Sequence, residues 1–206
     1  MQIQLNNISK RFKKHWIFKS INHDFIGPNN YGIIGDNGGG KSTLLKTIAG
    51  ITSPTEGELH YQYSGTNIHL NNLFPFLAIV APYMDLPNEL KLNELFRFQK
   101  NFKDYSSDVN ESNFFPMIQL EGKEEEIVKN LSSGMKQRLK LGLALLSESK
   151  VVLLDEPCSN LDKNGRDLYK ELLNRSKNKL IIIASNSNND ELFECETILN
   201  INHFKV

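Results

Sequence analysis

Long apolar runs are missing from this chain of 206 residues. Stretches such as Leu143–Leu146, Val151–Leu154 and Leu180–Ala184 stop after a handful of residues. A bilayer-spanning helix needs about 18 in succession, so the chain is not expected to cross a membrane by itself. Its first residues, Met1-Gln2-Ile3-Gln4-Leu5-Asn6, hold neither a basic nor an apolar stretch of the kind that opens a secretory leader, and none is expected. Cysteine is scarce: Cys158 and Cys195 are the two present. That is too few for a disulfide framework and points to a reduced, cytoplasmic protein. Charge of either sign is also lacking in excess, with 24 Lys+Arg against 24 Asp+Glu. Such balance argues against a generally basic nucleic-acid binder, and no direct nucleic-acid partner is expected. Internal repeats, low-complexity tracts and Gly/Ser or Pro linkers do not occur. The length fits one full-sized domain with its own core.

What is present alternates strand with helix. Ile3, Leu5 and Ile8, then Trp16 to Phe25, pattern as strands, and Tyr31–Ile34 is a short buried strand running into glycines. Ser42–Ala49 reads as a helix stopped by Gly50. Glu58–Tyr63 and Leu77–Ala81 are further strands. From Leu86 to Glu126 strand patterning vanishes, and Leu92, Leu95, Phe96 and Phe102 recur at helical spacing. The pattern then returns as a helix at 133–147, a strand at 151–154, a helix near 164–177 and a strand at 180–184. This is an α/β chain with a mainly parallel sheet, an N-terminal β part and a helical insertion. The ligand site is expected at the strand C-termini.

Gly35-Asp36-Asn37-Gly38-Gly39-Gly40-Lys41-Ser42, followed by Thr43, fits the phosphate-loop pattern G-x-x-x-x-G-K-[ST]. Glycines let backbone N–H groups close on phosphate oxygens, Lys41 supplies a point charge, and Ser42 offers a hydroxyl to Mg²⁺. The helix that opens at Ser42 turns its positive end to the same anions. A match of this size arises by chance in such a chain on the order of once in a hundred, and the strand and helix on its flanks make chance rarer still. Val151-Val152-Leu153-Leu154-Asp155-Glu156 is an apolar strand ending in two carboxylates. Beside a phosphate loop, Asp155 can hold Mg²⁺ and Glu156 can orient or deprotonate the attacking water. Leu131-Ser132-Ser133-Gly134-Met135-Lys136-Gln137-Arg138 opens a capped helix, a second anion-binding end. By itself that segment is simply a well-capped helix.

Phosphate loop, helical insertion, Leu-Ser-Ser-Gly-Met-Lys-Gln-Arg, Leu-Leu-Asp-Glu-Pro and Ser159-Asn160-Leu161-Asp162 follow one another in that order. Over essentially the whole chain this resembles the ATP-binding cassette (ABC) ATPases. The resemblance implies one phosphate-loop NTPase domain over residues 1–206, with a helical subdomain at about 84–147. It implies ATP and Mg²⁺ as ligands and a head-to-tail pair of cassettes, as a homodimer or heterodimer. Ser132, Ser133 and Gly134 of one subunit would then meet the nucleotide held by the other. Asp162 would lie in the loop between the two sites. Phe12, 29 residues before Lys41, takes the place of the aromatic that stacks on adenine, with Trp16 the lesser candidate. The commonest family role is the motor of a membrane transporter, docked on a separate transmembrane permease subunit at the cytoplasmic face of the inner or plasma membrane. The short, compact wording looks most like export-type cassettes, haem-exporter ATPase subunits among them. The docking surface is expected between the Tyr83 loop and the insertion, among Met84, Leu86, Phe96, Phe98, Phe102, Phe114 and Phe115, most of which also suit the insertion's own core.

Three segments depart from the family pattern. The signature reads Ser-Ser-Gly-Met where Ser-Gly-Gly-Gln is commonest. Tyr83 stands where a Gln usually reaches the metal, and Asn186 where a His usually follows the last core strand. Asn can donate to a phosphate but has no titration near neutral pH. With Glu156 retained, the expectation is slow hydrolysis. The alternatives are a non-transport soluble cassette and a weakly or non-hydrolysing regulatory ATP-binding module.

Overall fold

The computed structural model describes residues 1–186 and 188–205. Among these residues nine strands form two sheets. In the first, β1 (Gln2–Phe12), β2 (His15–Ile26), β4 (Glu56–Tyr63) and β5 (Thr66–Ile68) pair antiparallel in the order β2-β1-β4-β5. The second is wholly parallel. It joins β3 (Asn29–Ile34), β6 (Leu77–Val80), β7 (Val151–Asp155), β8 (Leu180–Ser185) and β9 (Thr197–Asn200) in the order β6-β7-β8-β3-β9. Five helices complete the fold: α1 (Lys41–Ile48), α2 (Leu92–Lys100), α3 (Glu111–Met117), α4 (Ser133–Leu145) and α5 (Lys163–Arg175).

β7 and β8 are buried along their whole length, so they read as continuous apolar runs. Their side chains still alternate between two cores. Val151 and Leu153 of β7, with Leu180, Ile182 and Ala184 of β8, face the core shared with the antiparallel sheet and α1. Val152, Leu154, Ile181 and Ile183 face the opposite core, built from α4, α5 and the insertion. The parallel sheet is thus the middle layer. Expected element positions hold to within a residue or two, as at α1 and β6. The short strands β5 and β9 were not foreseen, being brief and flanked by polar residues.

Aromatic rings hold the insertion together. Phe96 of α2 stacks on Phe114 of α3 at a centroid distance of 4.3 Å, and Phe114 meets Phe115 edge-on at 5.2 Å. All three rings are fully buried. Asn110 caps α3 by accepting the Ser112 N–H at 3.0 Å, which satisfies an N–H that would otherwise lack a partner at the helix start. Phe98 and Phe102 instead remain exposed, so the run of aromatics divides between core and surface. Truncating a fully buried Phe costs about 3–5 kcal/mol. Phe96→Ala is therefore expected to lower the urea-unfolding free energy by about that much. A loss below about 1 kcal/mol would show that the aromatic cluster does not hold the insertion.

Candidate functional site

The parallel register sets the site. Ile34 at the end of β3 lies opposite Ser185 of β8, and Asp155 of β7 lies opposite Ala184. The loops after these strands therefore leave the sheet at one edge, as expected for a ligand site at strand C-termini. A pocket of about 400 Å³ opens there, lined by Ile17, Asn37–Thr43, Glu156 and Asn186. Residues distant in sequence meet in it, including Glu156 and Asn186, whose Nδ2 donates to Glu156 Oε1 at 2.7 Å.

Backbone conformation shapes the loop. Gly38 and Gly40 stand at φ 73° and 100°, a region costly for residues with a Cβ. A Cβ on Gly40 would fall 2.5 Å from Ile17 Cγ2, whereas one on Gly38 would meet nothing within 4 Å. Lys41 is buried, and its Nζ donates to the carbonyls of Gly35 at 2.8 Å and Asp36 at 3.0 Å. Burial pulls its pKa down, while Glu156, Asp155 and Asp36 pull it back up. The outer side of the loop is held by two residues not singled out from sequence, Asn202 and Lys205. Asp36 accepts from Lys205 Nζ at 2.7 Å and Asn202 Nδ2 at 3.2 Å, and these two bonds hold its carboxyl below the ordinary range. Only the tertiary fold reveals this clasp, since 166 residues separate Asp36 from Asn202.

Asp155 is almost wholly buried, and its Oδ2 has no hydrogen-bond partner. Burial raises its pKa, and the neighbouring Ser42 hydroxyl works against that rise. A buried carboxylate oxygen left unpartnered beside a hydroxyl is costly and suits a hard divalent cation, which prefers oxygen donors. Glu156, one residue on, stands at φ 47°, a sparsely populated conformation for a residue of its kind. Tyr83 lies half-exposed after β6. Lys46 Nζ of α1 sits 3.7 Å from the centre of its ring, and burial, helped by the Asp155 charge, pushes its hydroxyl pKa up to about 12. It is not among the residues lining the pocket.

The other expected residues lie outside this pocket. Ser132 caps α4 by accepting the Met135 N–H at 3.2 Å. Ser133 begins the helix, and a Cβ on Gly134 would come 3.0 Å from the Asn160 carbonyl. Asp162 caps α5, accepting the Gly165 N–H at 2.8 Å, and also accepts from Arg138 of α4 at 3.0 Å. The signature helix and the Asp162 loop are thus joined to one another and stand apart from the lining of the phosphate-loop pocket. Phe12 is exposed at the β1–β2 turn with Lys10 Nζ 4.9 Å from its ring centre. Ile17, which in sequence reads only as a strand position, lines the pocket.

Residues 18–159 match the family model described as ABC transporter. The chain belongs to the ABC transporter family. The cassette is 29% identical, over 99% of its own length and 94% of the relative's, to the ABC transporter ATP-binding protein YybJ of Bacillus subtilis. It is 32% identical over 89% of its length to the sulfate/thiosulfate import ATP-binding protein CysA of Mesostigma viride, of which it spans 55%. Among solved structures it shares the fold of an ABC transporter ATP-binding protein from Pyrococcus furiosus, with a TM-score of 0.82, 21% identity and full coverage of both chains. It shares it also with the dimeric bacterial ABC transporter cassette MJ0796, with a TM-score of 0.81, 21% identity and coverage of 97% and 94%. The cassette is an ATP-binding subunit and an ATPase of this family. No helix among the described residues is long and apolar enough to cross a membrane.

The two loop glycines separate conformation from crowding. Gly40→Ala is expected to weaken binding of a fluorescent ATP analogue by about tenfold or more, because strain and the Ile17 clash add. Gly38→Ala, strained but unobstructed, is expected to cost less. Equal losses in the two variants would mean that closure against Ile17 does not matter.

Proposed function

We propose that this cassette binds MgATP in the phosphate-loop pocket, hydrolyses it slowly, and drives a separate transmembrane subunit by closing on a second cassette. One observation carries the reading. The loop, the unpartnered Asp155 oxygen and the Glu156–Asn186 pair converge on a single edge of the parallel sheet.

Each residue has a role in that reading. N–H groups of residues 37–43 and Lys41 bind the phosphates, and Lys41 exchanges its two carbonyl acceptors for phosphate oxygens. Ser42 and Asp155 hold Mg²⁺, which when bound neutralises charge on the β- and γ-oxygens. Glu156 accepts a proton from the attacking water, or orients it, while the Asn186 amide holds the Glu156 carboxylate and donates toward the γ-phosphate. Tyr83 contributes at most a hydroxyl near the metal, one that stays protonated at neutral pH as any tyrosine hydroxyl does. With Asn186 uncharged at every pH, less positive charge faces the developing transition state than a protonatable His would supply. Phe12 supplies the exposed ring for the adenine base.

A second cassette supplies Ser132, Ser133 and Gly134. The position of the α4 N-terminus outside the pocket supports this, because among the described residues that helix end does not line the phosphate-loop pocket and is free to face one in a second cassette. Asp162, bonded to Arg138 of α4, links that helix end to the loop following Glu156. The related cassette MJ0796 has been described as a dimer and with ADP and Pi bound. The membrane subunit has a separate place to dock. A groove of about 760 Å³ runs between the turn after α1, β6, α2 and α4, lined among others by Ile51, Leu70, Phe74, Met84, Phe98 and Phe102. Phe74, Phe98 and Phe102 are exposed and pack ring to ring, at 6.4 Å and 5.1 Å. Exposed apolar patches of this kind mark protein interfaces. Docking there would hold the cassette against the cytoplasmic face of the membrane, and zero net charge fits a protein partner better than nucleic acid.

Purified protein is expected to show Mg²⁺-dependent ATP hydrolysis that Glu156→Gln abolishes and that Tyr83→Gln or Asn186→His accelerates. The same Glu156→Gln protein should double its mass by light scattering under saturating MgATP. A background rate with ATP binding intact would defeat the hydrolytic reading, and a persistent monomer would defeat the paired cassette. For docking, Leu70→Asp combined with Phe98→Asp is expected to release the cassette from a co-purifying membrane protein, with its fold checked by circular dichroism. Retention on the membrane partner would place the interface elsewhere.

A further inference from the structure

Besides Asp155, Glu191 is the only buried carboxylate among the described residues, and none of the roles assigned above uses it. Its Oε2 accepts the Ser185 hydroxyl at 2.5 Å, and its Oε1 accepts the Cys158 backbone N–H at 3.2 Å. Ser185 ends β8 and immediately precedes Asn186. Cys158 lies two residues beyond Glu156. One carboxylate therefore ties together the two loops that carry the Glu156–Asn186 pair.

Glu191 is itself firmly placed. Its backbone carbonyl accepts the Tyr169 hydroxyl of α5 at 2.8 Å, and its N–H donates to Asn188 O at 3.0 Å. The adjacent Asp190 pairs with Arg166 and Lys170 of α5 at 3.2 Å and 2.6 Å. The Ser185 hydroxyl oxygen also accepts the Asn188 N–H at 3.1 Å, closing the turn. Glu156 needs such a frame. At φ 47° its conformation persists only where the surroundings impose it. Two of the restraints are local: its N–H donates to Ala184 O at 2.9 Å, and its carbonyl accepts the Ser159 N–H at 3.0 Å. The Glu191 bond to Cys158 is a third, and it comes from the far side of the turn.

We propose that Glu191 is a positioning residue for hydrolysis, whose carboxylate sets the orientation of Glu156 against Asn186 without touching the nucleotide. The proposal rests on the reading of Glu156 as the group that handles the attacking water. A purely space-filling role is disfavoured by chemistry: burial penalises the carboxylate, and an apolar side chain would fill the same volume without that penalty. What the apolar side chain could not do is accept from two loops at once.

Steady-state ATP hydrolysis, the Kd of a fluorescent ATP analogue and Tm, measured on the same preparations, test this. Glu191→Ala is expected to lower kcat by about tenfold or more while KM and Kd stay within about twofold, because no contact of the phosphate loop is removed. Glu191→Gln keeps an acceptor for Cys158 and a polar end for Ser185, and is expected to recover at least about a third of the wild-type rate. Ser185→Ala, which leaves the carboxylate in place, should give an intermediate loss. It also carries the test, together with Glu191→Gln, if Glu191→Ala does not fold. An unchanged kcat in Ser185→Ala and in whichever Glu191 variants fold would overturn the proposal. So would a loss of kcat matched by an equal loss of nucleotide affinity and not relieved by Gln. Glu156→Gln separates the two levels. If that variant hydrolyses ATP like wild type, the reading of Glu156 fails. If it is inactive while Glu191→Ala is normal, only the positioning role fails.

Discussion

In the parallel sheet Ile34 stands opposite Ser185, and Asp155 opposite Ala184. The meeting of the phosphate loop, Asp155, Glu156 and Asn186 follows from that pairing. A slip of one residue in a strand buried on both faces would exchange its two apolar faces and move the loop beyond it by about 3.3 Å. Glu156 and Asn186 meet at 2.7 Å, a separation that tolerates no such slip. The continuous apolar character of β7 and β8 is thus more than core filling. It holds two loops from distant parts of the chain at a fixed height beside the phosphate loop.

Burial then charges the site. Lys41 and Asp155 are both taken out of water, and burial pushes each toward its neutral form, the lysine pKa down and the aspartate pKa up. Opposite charges nearby offset part of that cost. Lys41 occupies itself with loop carbonyls, and an oxygen of Asp155 has no partner. In the proposed function, phosphate oxygens and a divalent cation relieve both conditions together.

Tyr83 stands next to the groove proposed for docking, between α1 and Met84. Its ring carries the Lys46 ammonium of α1, its hydroxyl senses the Asp155 charge, and the next residue, Met84, lines the groove. A Gln side chain would make a more direct polar contact with a metal, whereas Tyr joins the loop to α1 through the ring face.

Local chemistry made much of this protein legible. The phosphate loop, the Asp155-Glu156 strand end, the capped α4 and the absence of a spanning segment are written in contiguous residues. Their meaning depends on glycine conformation, strand periodicity and capping, which act within a few positions. The central sheet was legible for the same reason, since fully apolar runs have few other places to go. Tertiary structure alone decided the rest. Ile17 closing on Gly40, Asn202 and Lys205 clasping Asp36, Glu191 bridging Cys158 and Ser185, and the division of the insertion's phenylalanines between core and groove all join residues with no sequence relation. A hydrogen bond or a packing contact requires only proximity in space, and proximity between distant segments exists only after the sheet has formed.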